Sequence, residues 1–295
     1  MSIFKGSMVA IATPMNEDGS LDFNSLDRLI EFHMNNKTDV IISVGTTGES
    51  ATLDFKEHSS VIKTTIELVK GRIPVIAGTG ANSTSEAIEL TESAKNNGAD
   101  GCLLVTPYYN KPTQEGLFQH YKKIADTVAI PQILYNVPGR TSVDMLPETV
   151  KRLSKHKNIV GIKEASGNKD RSTELMKLCS ENIQIFTGDD KTSMLDIIDG
   201  FSGNISVTAN VAPLEMHMMC KYAAEGNTEK ANEFNSKIET LHDILFCESN
   251  PIPVKWCLNR MGLIKKGIRL PLTWMDEKYD QILNDALIKA GIINE

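Results

Sequence analysis

The chain has 295 residues, of which 41% are hydrophobic and 23% are charged, as is typical of a soluble globular protein. Its formal net charge of −7 leaves no basic excess for binding a nucleic-acid backbone, so we expect no nucleic-acid partner. Neither a basic, apolar leader nor an apolar run long enough to cross a membrane is visible, and we expect a cytoplasmic protein.

Eight short runs rich in β-branched and apolar residues recur along the chain, each followed by turn residues. The predicted strands are 8–15, 40–48, 74–80, 101–109, 131–138, 159–166, 183–190 and 203–211. Several, such as 40–44, are apolar on both faces, as parallel strands covered by helices should be. Predicted helices at 83–97 and 146–156 fit between them. This order favours an α/β fold, a (β/α)8 TIM barrel, over a doubly wound sheet.

Beyond residue 213 the pattern is helical, with predicted helices at 214–224, 229–245 and 252–261. We therefore expect the barrel over residues 1–224 and a C-terminal helical extension over residues 225–295. Active sites of such barrels lie at the carboxyl ends of the strands, so polar residues there are the candidates for chemistry.

Lys163 interrupts the apolar run of the sixth predicted strand. Burial lowers the pKa of a lysine and leaves a neutral amine that can attack a carbonyl carbon, which is the chemistry of a Schiff-base lysine. The alternative is a structural ion pair with an acidic residue on a neighbouring strand.

Polar residues follow other strands of the predicted barrel. The segment 45–50, Gly-Thr-Thr-Gly-Glu-Ser, offers amides and hydroxyls that suit a small carboxylate, or is a structural turn. Tyr108, Tyr109 and Tyr135 are candidate proton relays; the alternative for the Tyr-Tyr pair is aromatic packing at the barrel mouth or a subunit contact. Arg140 suits a bidentate carboxylate contact, or is a solvated surface residue.

Metal and nucleotide sites are not favoured by the sequence. The five cysteines and six histidines form neither a Cys-x-x-Cys pair nor a His-Glu-x-x-His pattern, so we expect no metal. The glycines at 78–80 lack a dinucleotide or Walker pattern. Asp189 and Asp190 are interpreted as solvated or helix-capping acids rather than as ligands of Mg²⁺.

Five segments of the chain resemble the dihydrodipicolinate synthase family, within the pyruvate-dependent class I aldolases and lyases. They are Gly-Thr-Thr-Gly-Glu-Ser-Ala-Thr-Leu at 45–53, Val-Thr-Pro-Tyr-Tyr-Asn-Lys-Pro at 105–112, Tyr-Asn-Val-Pro-Gly-Arg-Thr at 135–141, Gly-Ile-Lys-Glu-Ala at 161–165 and Asn-Pro-Ile-Pro-Val-Lys at 250–255. The resemblance covers essentially the whole chain and implies condensation of pyruvate with L-aspartate 4-semialdehyde in diaminopimelate and lysine synthesis.

The resemblance also implies roles for single residues. Lys163 would form a covalent imine with pyruvate, with no other cofactor. Tyr135, linked through Thr46 to Tyr109 of a neighbouring subunit, would pass protons, and the expected assembly is a homotetramer built as a dimer of dimers. The implied substrate-binding residues are Thr47 for the pyruvate carboxylate, Arg140 for the carboxylate of the aldehyde substrate, and Gly188 and Ile205 at the pyruvate pocket.

Family members are often inhibited by L-lysine, and the matching positions here are Ser50, Ala51, His58, Asn82, Glu86 and Tyr108. Phe55 stands where related enzymes commonly carry histidine, so the resemblance implies weakened inhibition. Three other functions compete: a sugar-acid lyase such as N-acetylneuraminate lyase, which lacks the arginine matched by Arg140; a non-catalytic barrel that binds a small acid; and a dehydrogenase, which requires a dinucleotide fingerprint.

Overall fold

The computed structural model describes residues 4–294, in which eight parallel strands close into a barrel in chain order. The strands are β1 (Gly6–Ala10), β2 (Val40–Ser43), β3 (Val75–Gly78), β4 (Gly101–Val105), β5 (Gln132–Asn136), β6 (Ile159–Glu164), β7 (Gln184–Thr187) and β8 (Gly203–Ser206). Each strand pairs with the next and β8 pairs with β1, which confirms the predicted TIM barrel.

Helices connect the strands and surround the barrel. They are α1 (Phe23–Asn35), α2 (Phe55–Val69), α3 (Thr84–Asn96), α4 (Gln114–Thr127), α5 (Pro138–Thr141), α6 (Pro147–Leu153), α7 (Lys169–Cys179), α8 (Ser193–Ile198) and α9 (Pro213–Ala224). Three more helices follow: α10 (Thr228–Ile244), α11 (Ile252–Arg260) and α12 (Asp280–Lys289). The division of the chain at residue 224 stays a prediction. No helix between residues 4 and 294 combines the length and the apolar character needed to cross a bilayer.

The hydrophobic core has two layers, as the two-sided apolar strands require. One layer fills the barrel interior and includes Met8, Ile42, Ile133 and Phe186. The larger layer lies between the outer faces of the strands and the helices, with residues such as Ile41 and Leu104. Neighbouring residues of one strand thus face different apolar layers. Because both faces of the strands are covered, polar side chains are accommodated mainly at the strand ends.

The observed strands end earlier than predicted. Strand β2 stops at Ser43 rather than at residue 48, because Val44 has a φ of 57° and turns the chain out of the ladder. The predicted helix 146–156 is also shorter and ends at Leu153. Helix α3 begins as predicted, since the Ser83 side chain accepts a hydrogen bond from the Glu86 amide. Helix α12 was not predicted. The residues released from the strands form the loops at the barrel mouth.

Candidate active site

Lys163 is the next-to-last residue of β6 and lines a cavity of about 340 Å³ at the carboxyl ends of the strands. Its side chain is buried, with 5% exposed. Burial lowers the pKa of the amine to about 7; the charge of Asp190 acts in the opposite direction, and that of Arg140 lowers the pKa further. No acidic side chain among residues 4–294 forms an ion pair with Lys163, so the structure does not support the ion-pair interpretation.

Tyr135 lies on β5 directly beside Lys163 in the strand register. The Lys163 Nζ atom is 4.3 Å from the centroid of its ring. Burial raises the pKa of the Tyr135 phenol, while the charge of Arg140 and a hydrogen bond shared with the Thr46 hydroxyl act in the opposite direction. The amine thus lies over the face of the Tyr135 ring, and the phenol hydroxyl, paired with Thr46, is a group that can both accept and donate a proton.

Three amides of the loop 45–50, those of Gly45, Thr46 and Thr47, form no hydrogen bond within residues 4–294. The amides of residues 48–50 donate to carbonyl oxygens within the loop over 3.0–3.3 Å. Among the hydrogen bonds of residues 4–294, none uses the amides of Thr46 and Thr47. Thr47 is buried beside them and lines the same cavity as Lys163. Adjacent free amides with a hydroxyl are a suitable site for a small carboxylate.

A buried ion pair holds this loop. Glu49 and Lys255 are both fully buried and form a salt bridge. The Lys255 Nζ donates to the carbonyl oxygen of Gly267 over 2.9 Å, and the Arg269 amide donates to Glu49 Oε2 over 3.2 Å. Burial lowers the pKa of Lys255, and the adjacent Glu49 carboxylate partly offsets this effect. The loop is therefore fastened to α11 and to the chain that follows it.

Gly188 lies at the end of β7, against the lysine. A Cβ atom at this position would lie 2.5 Å from Lys163 Cε and 2.8 Å from Ala165 Cβ. The missing side chain therefore makes room for the amine. Ile205 was also expected at the pocket, but it is fully buried in the barrel interior, beside Met8 in the register.

Asp190 is neither solvated nor a helix cap, which corrects the sequence-based interpretation. Its buried carboxylate accepts hydrogen bonds from Asn204 Nδ2 over 2.7 Å and from the amides of Val207 and Thr208 over 3.0 and 2.8 Å. The amides that bind the Asp190 carboxylate follow β8. They are distant from Asp190 in the sequence, so no local pattern predicts this contact. Asp189, half-buried, accepts a bond from the Lys191 amide. No three metal-ligating side chains are grouped anywhere in residues 4–294.

Six of the predicted site residues line the cavity, whereas Tyr109 and Ile205 do not. The six are Thr46, Thr47, Tyr135, Arg140, Lys163 and Gly188. Arg140 lies on α5 with an exposed guanidinium. Tyr109 follows β4 with a φ of 74°, and 89% of it is exposed. One chain alone therefore does not bring Tyr109 to Tyr135.

Asn250 is a cavity residue that was not among the predicted site residues. It is buried, and its Nδ2 donates to Thr47 Oγ1 over 2.9 Å. The two residues are 203 positions apart, so no local pattern in the sequence could pair them.

A second cavity of about 400 Å³ lies behind the first, and the two share Thr46, Val137, Arg140 and Asn250 as a wall. Five of the six residues matched to a lysine site line it: Ser50, Ala51, His58, Glu86 and Tyr108. The sixth, Asn82, donates through Nδ2 to the carbonyl oxygen of Tyr108 over 3.3 Å.

Two ring residues that line this second cavity, His58 and Phe55, differ in polarity. His58 Nε2 is 2.7 Å from the carbonyl oxygen of Gly78, and burial lowers the pKa of its ring. Phe55 also lines the cavity, with 41% of it exposed. The phenyl ring offers no hydrogen bond to a ligand there.

A closed barrel with a buried amine at the carboxyl ends of its strands fits a (β/α)8 lyase, and the chain is an enzyme of this class. It belongs to the dihydrodipicolinate synthetase family, whose sequence model matches residues 3–290. The 4-hydroxy-tetrahydrodipicolinate synthase of Thioalkalivibrio sulfidiphilus (strain HL-EbGR7) is 59% identical over 290 residues, covering 98% of this chain and 99% of the relative.

Solved structures of family members superpose closely on the chain. Dihydrodipicolinate synthase of Acinetobacter baumannii, described as chloride inhibited and complexed with pyruvate, has a TM-score of 0.97 at 55% identity, covering 99% of this chain and 100% of that one. The enzyme of Cyanidioschyzon merolae with lysine bound has a TM-score of 0.95 at 36% identity, with coverage of 99% and 100%.

Proposed function

We propose that the chain condenses pyruvate with L-aspartate 4-semialdehyde to give 4-hydroxy-tetrahydrodipicolinate, the first committed step of diaminopimelate and lysine synthesis. The observation that carries this proposal is the buried Lys163 amine, whose pKa is lowered to about 7 in a cavity that also contains a phenol and free amides. The names of the relatives, more than half identical over nearly the whole chain, supply the reaction.

The chemistry begins at the neutral Lys163 amine, which attacks the ketone carbon of pyruvate. A C–N bond forms, the ketone oxygen leaves as water, and the imine then loses a proton from the pyruvate methyl group to give an enamine. The Tyr135 phenol, whose ring lies against the amine and whose hydroxyl is hydrogen-bonded to Thr46, transfers these protons. The enamine carbon attacks the aldehyde carbon of the second substrate, and ring closure through the substrate amine releases Lys163.

Two anion-binding elements hold the substrates. The free amides of Thr46 and Thr47, with the Thr47 hydroxyl, take the carboxylate of pyruvate. Arg140 stands at the cavity wall with an exposed guanidinium and takes the carboxylate of the aldehyde substrate. The same residue distinguishes this function from a sugar-acid lyase, whose polyol substrate needs hydroxyl partners there.

The test is the intact mass of the protein after borohydride reduction in the presence of pyruvate. We expect a pyruvate-sized adduct in the parent chain and none in Lys163→Ala. Lys191→Arg is the matched control, because Lys191 lines the same cavity but is exposed. The absence of an adduct in the folded parent would leave a barrel that only binds a small acid. With the adduct formed, product from L-aspartate 4-semialdehyde but not from N-acetylmannosamine identifies the acceptor.

We also propose a homotetramer, a dimer of dimers, in which Tyr109 completes the neighbouring subunit's site. Its support is that Tyr109 is exposed and lies outside its own cavity. Mixing unfolded Tyr109→Ala and Lys163→Ala chains and refolding them together should restore part of the activity, because mixed dimers carry one intact site. If the mixture is no more active than its components, Tyr109 does not act across subunits.

Inhibition by L-lysine is proposed for the second cavity, where the Glu86 carboxylate suits an ammonium group. Phe55 cannot form the hydrogen bond that an imidazole would, so we expect weak inhibition in the parent and stronger inhibition in Phe55→His. A titration of activity with L-lysine, with D-lysine as the control, measures both. No inhibition of the parent at millimolar L-lysine would contradict the proposal.

A further inference from the structure

The Thr47 hydroxyl has a donor but no acceptor. Its oxygen receives the Asn250 Nδ2 bond over 2.9 Å, and both residues are buried. Among residues 4–294, no group accepts the hydrogen of this hydroxyl. A hydroxyl carries one hydrogen and two lone pairs, and a buried hydrogen without an acceptor is costly. The hydrogen is therefore available to a ligand.

The bond from Asn250 decides where that hydrogen lies. Because the amide of Asn250 occupies a lone pair of Thr47 Oγ1, the hydroxyl hydrogen cannot also be directed at Asn250. Both residues line the cavity that holds Lys163. We propose that Asn250 is a positioning residue that orients the Thr47 hydroxyl as a hydrogen-bond donor to the carboxylate of pyruvate. This inference rests on the proposed function.

Asn250 is held in place from the C-terminal side of the chain. It precedes α11, and α11 carries Lys255, whose ion pair with Glu49 fastens the loop that contains Thr47. The Oδ1 atom of Asn250 has no hydrogen-bond partner within residues 4–294. Within these residues, the side-chain amide of Asn250 therefore acts only as a hydrogen-bond donor. Its one hydrogen bond there is the bond to Thr47 Oγ1 that fixes the direction of the Thr47 hydroxyl hydrogen.

A hydrogen bond of the opposite direction between Thr47 and Asn250 predicts the opposite change in pyruvate binding. If the Thr47 hydroxyl instead donated to Asn250, removal of the amide would free the hydroxyl and pyruvate would bind more tightly. If Asn250 only filled space, an apolar side chain of similar size would leave pyruvate binding unchanged. Asn250→Leu therefore separates the three possibilities by the sign of one measured quantity, the KM for pyruvate.

The experiment is a two-by-two comparison of Asn250→Leu and Thr47→Val, alone and together. Asn250→Leu should raise the KM for pyruvate by about three- to tenfold, the range for losing one ordinary hydrogen bond. The kcat and the KM for the aldehyde should stay within about twofold, because Asn250 contacts no reacting atom. In the Thr47→Val background, Asn250→Leu should produce no further rise, since the hydroxyl that it orients is absent.

Ser249→Ala is the matched control, because Ser249 is the adjacent residue and does not line the Lys163 cavity. It should leave the KM for pyruvate unchanged. Thermal unfolding checks that each variant is folded, and Asn250→Ser replaces Asn250→Leu if the latter is not. An unchanged or lowered KM in the single variant, or an equal rise in the Thr47→Val background, overturns the inference. The pyruvate adduct of the parent is measured separately, so failure of the proposed function shows as its absence.

Discussion

The lowered pKa of Lys163 has a direct kinetic consequence. With a pKa of about 7, roughly half of the amine is neutral at pH 7, whereas a lysine at the ordinary value of 10.5 would be neutral in only about one molecule in three thousand. The site therefore raises the concentration of the nucleophile by roughly a thousandfold. The kcat/KM for pyruvate should fall on the acid side with an apparent pKa of about 7, since this quantity reports groups of the free enzyme.

Arg140→Met is the perturbation that tests the cause. The positive charge of Arg140 lowers the pKa of Lys163, so its removal should move the acid limb to higher pH. The measurement is the rate at which the pyruvate imine is trapped by cyanoborohydride between pH 5.5 and 9.5, roughly the window around the expected limb. It needs no aldehyde substrate, so the proposed binding of that substrate by Arg140 does not affect the result. Nα-acetyl-lysine, a free amine, is the control. An apparent pKa of 9 or above in the parent (roughly the unperturbed range), or a lower apparent pKa in Arg140→Met than in the parent, would contradict this effect of the Arg140 charge.

The lowered pKa of Lys163 also affects the free energy of unfolding. The unfolded chain protonates Lys163 below about pH 10.5 and the folded chain only below about 7, so burial of this amine costs the folded state about 5 kcal/mol at pH 7 and below. This cost disappears as the pH rises toward 10.5. Lys163→Met should therefore stabilise the protein most at low pH, as measured by urea unfolding. An equal gain at pH 6 and pH 10 (roughly either side of this window) would contradict the assignment.

Three further predictions concern Tyr135 and Gly188, which lie against the Lys163 side chain, and Lys255, which holds the loop 45–50. Tyr135→Phe should lower kcat about a hundredfold or more through loss of the proton relay, with little change in melting temperature; an active variant would remove the phenol from the mechanism. Gly188→Ala should destabilise the fold by about 1–3 kcal/mol and prevent the pyruvate adduct, while Gly139→Ala, where no atom lies within 4 Å of the added Cβ, should do neither. Lys255→Met should cost about 3–5 kcal/mol in urea unfolding, and adding Glu49→Gln should recover part of it; equal stability of the single and double variants would contradict this.

The features that the sequence predicts well are those with a local signal. The eight strands show as apolar runs, and Lys163 shows as the charged residue inside one of them, because burial on both faces leaves little room for polar side chains. The ends of the strands are predicted less exactly. Strand β2 ends where Val44 has a positive φ, and a β-branched residue such as valine gives no sign of this conformation in the sequence.

The features that the sequence does not predict depend on distant partners. Asp190 looks like a turn residue, yet its carboxylate is buried under amides that come after the next strand. Asn250 and Lys255 act on a loop about two hundred residues earlier. Closing the barrel brings these residues together, so only the three-dimensional arrangement reveals their partners.

The link between Glu49 and Lys255 also orders the events of synthesis. Glu49 precedes Lys255 by about two hundred residues, so the loop around Glu49 leaves the ribosome well before its partner. Until α11 has emerged, the Glu49 carboxylate has no cation to accompany it into the interior, and it remains hydrated. The loop 45–50 of a nascent chain should therefore stay open until α11 has emerged, so a ribosome-bound chain that stops short of α11 should not retain pyruvate.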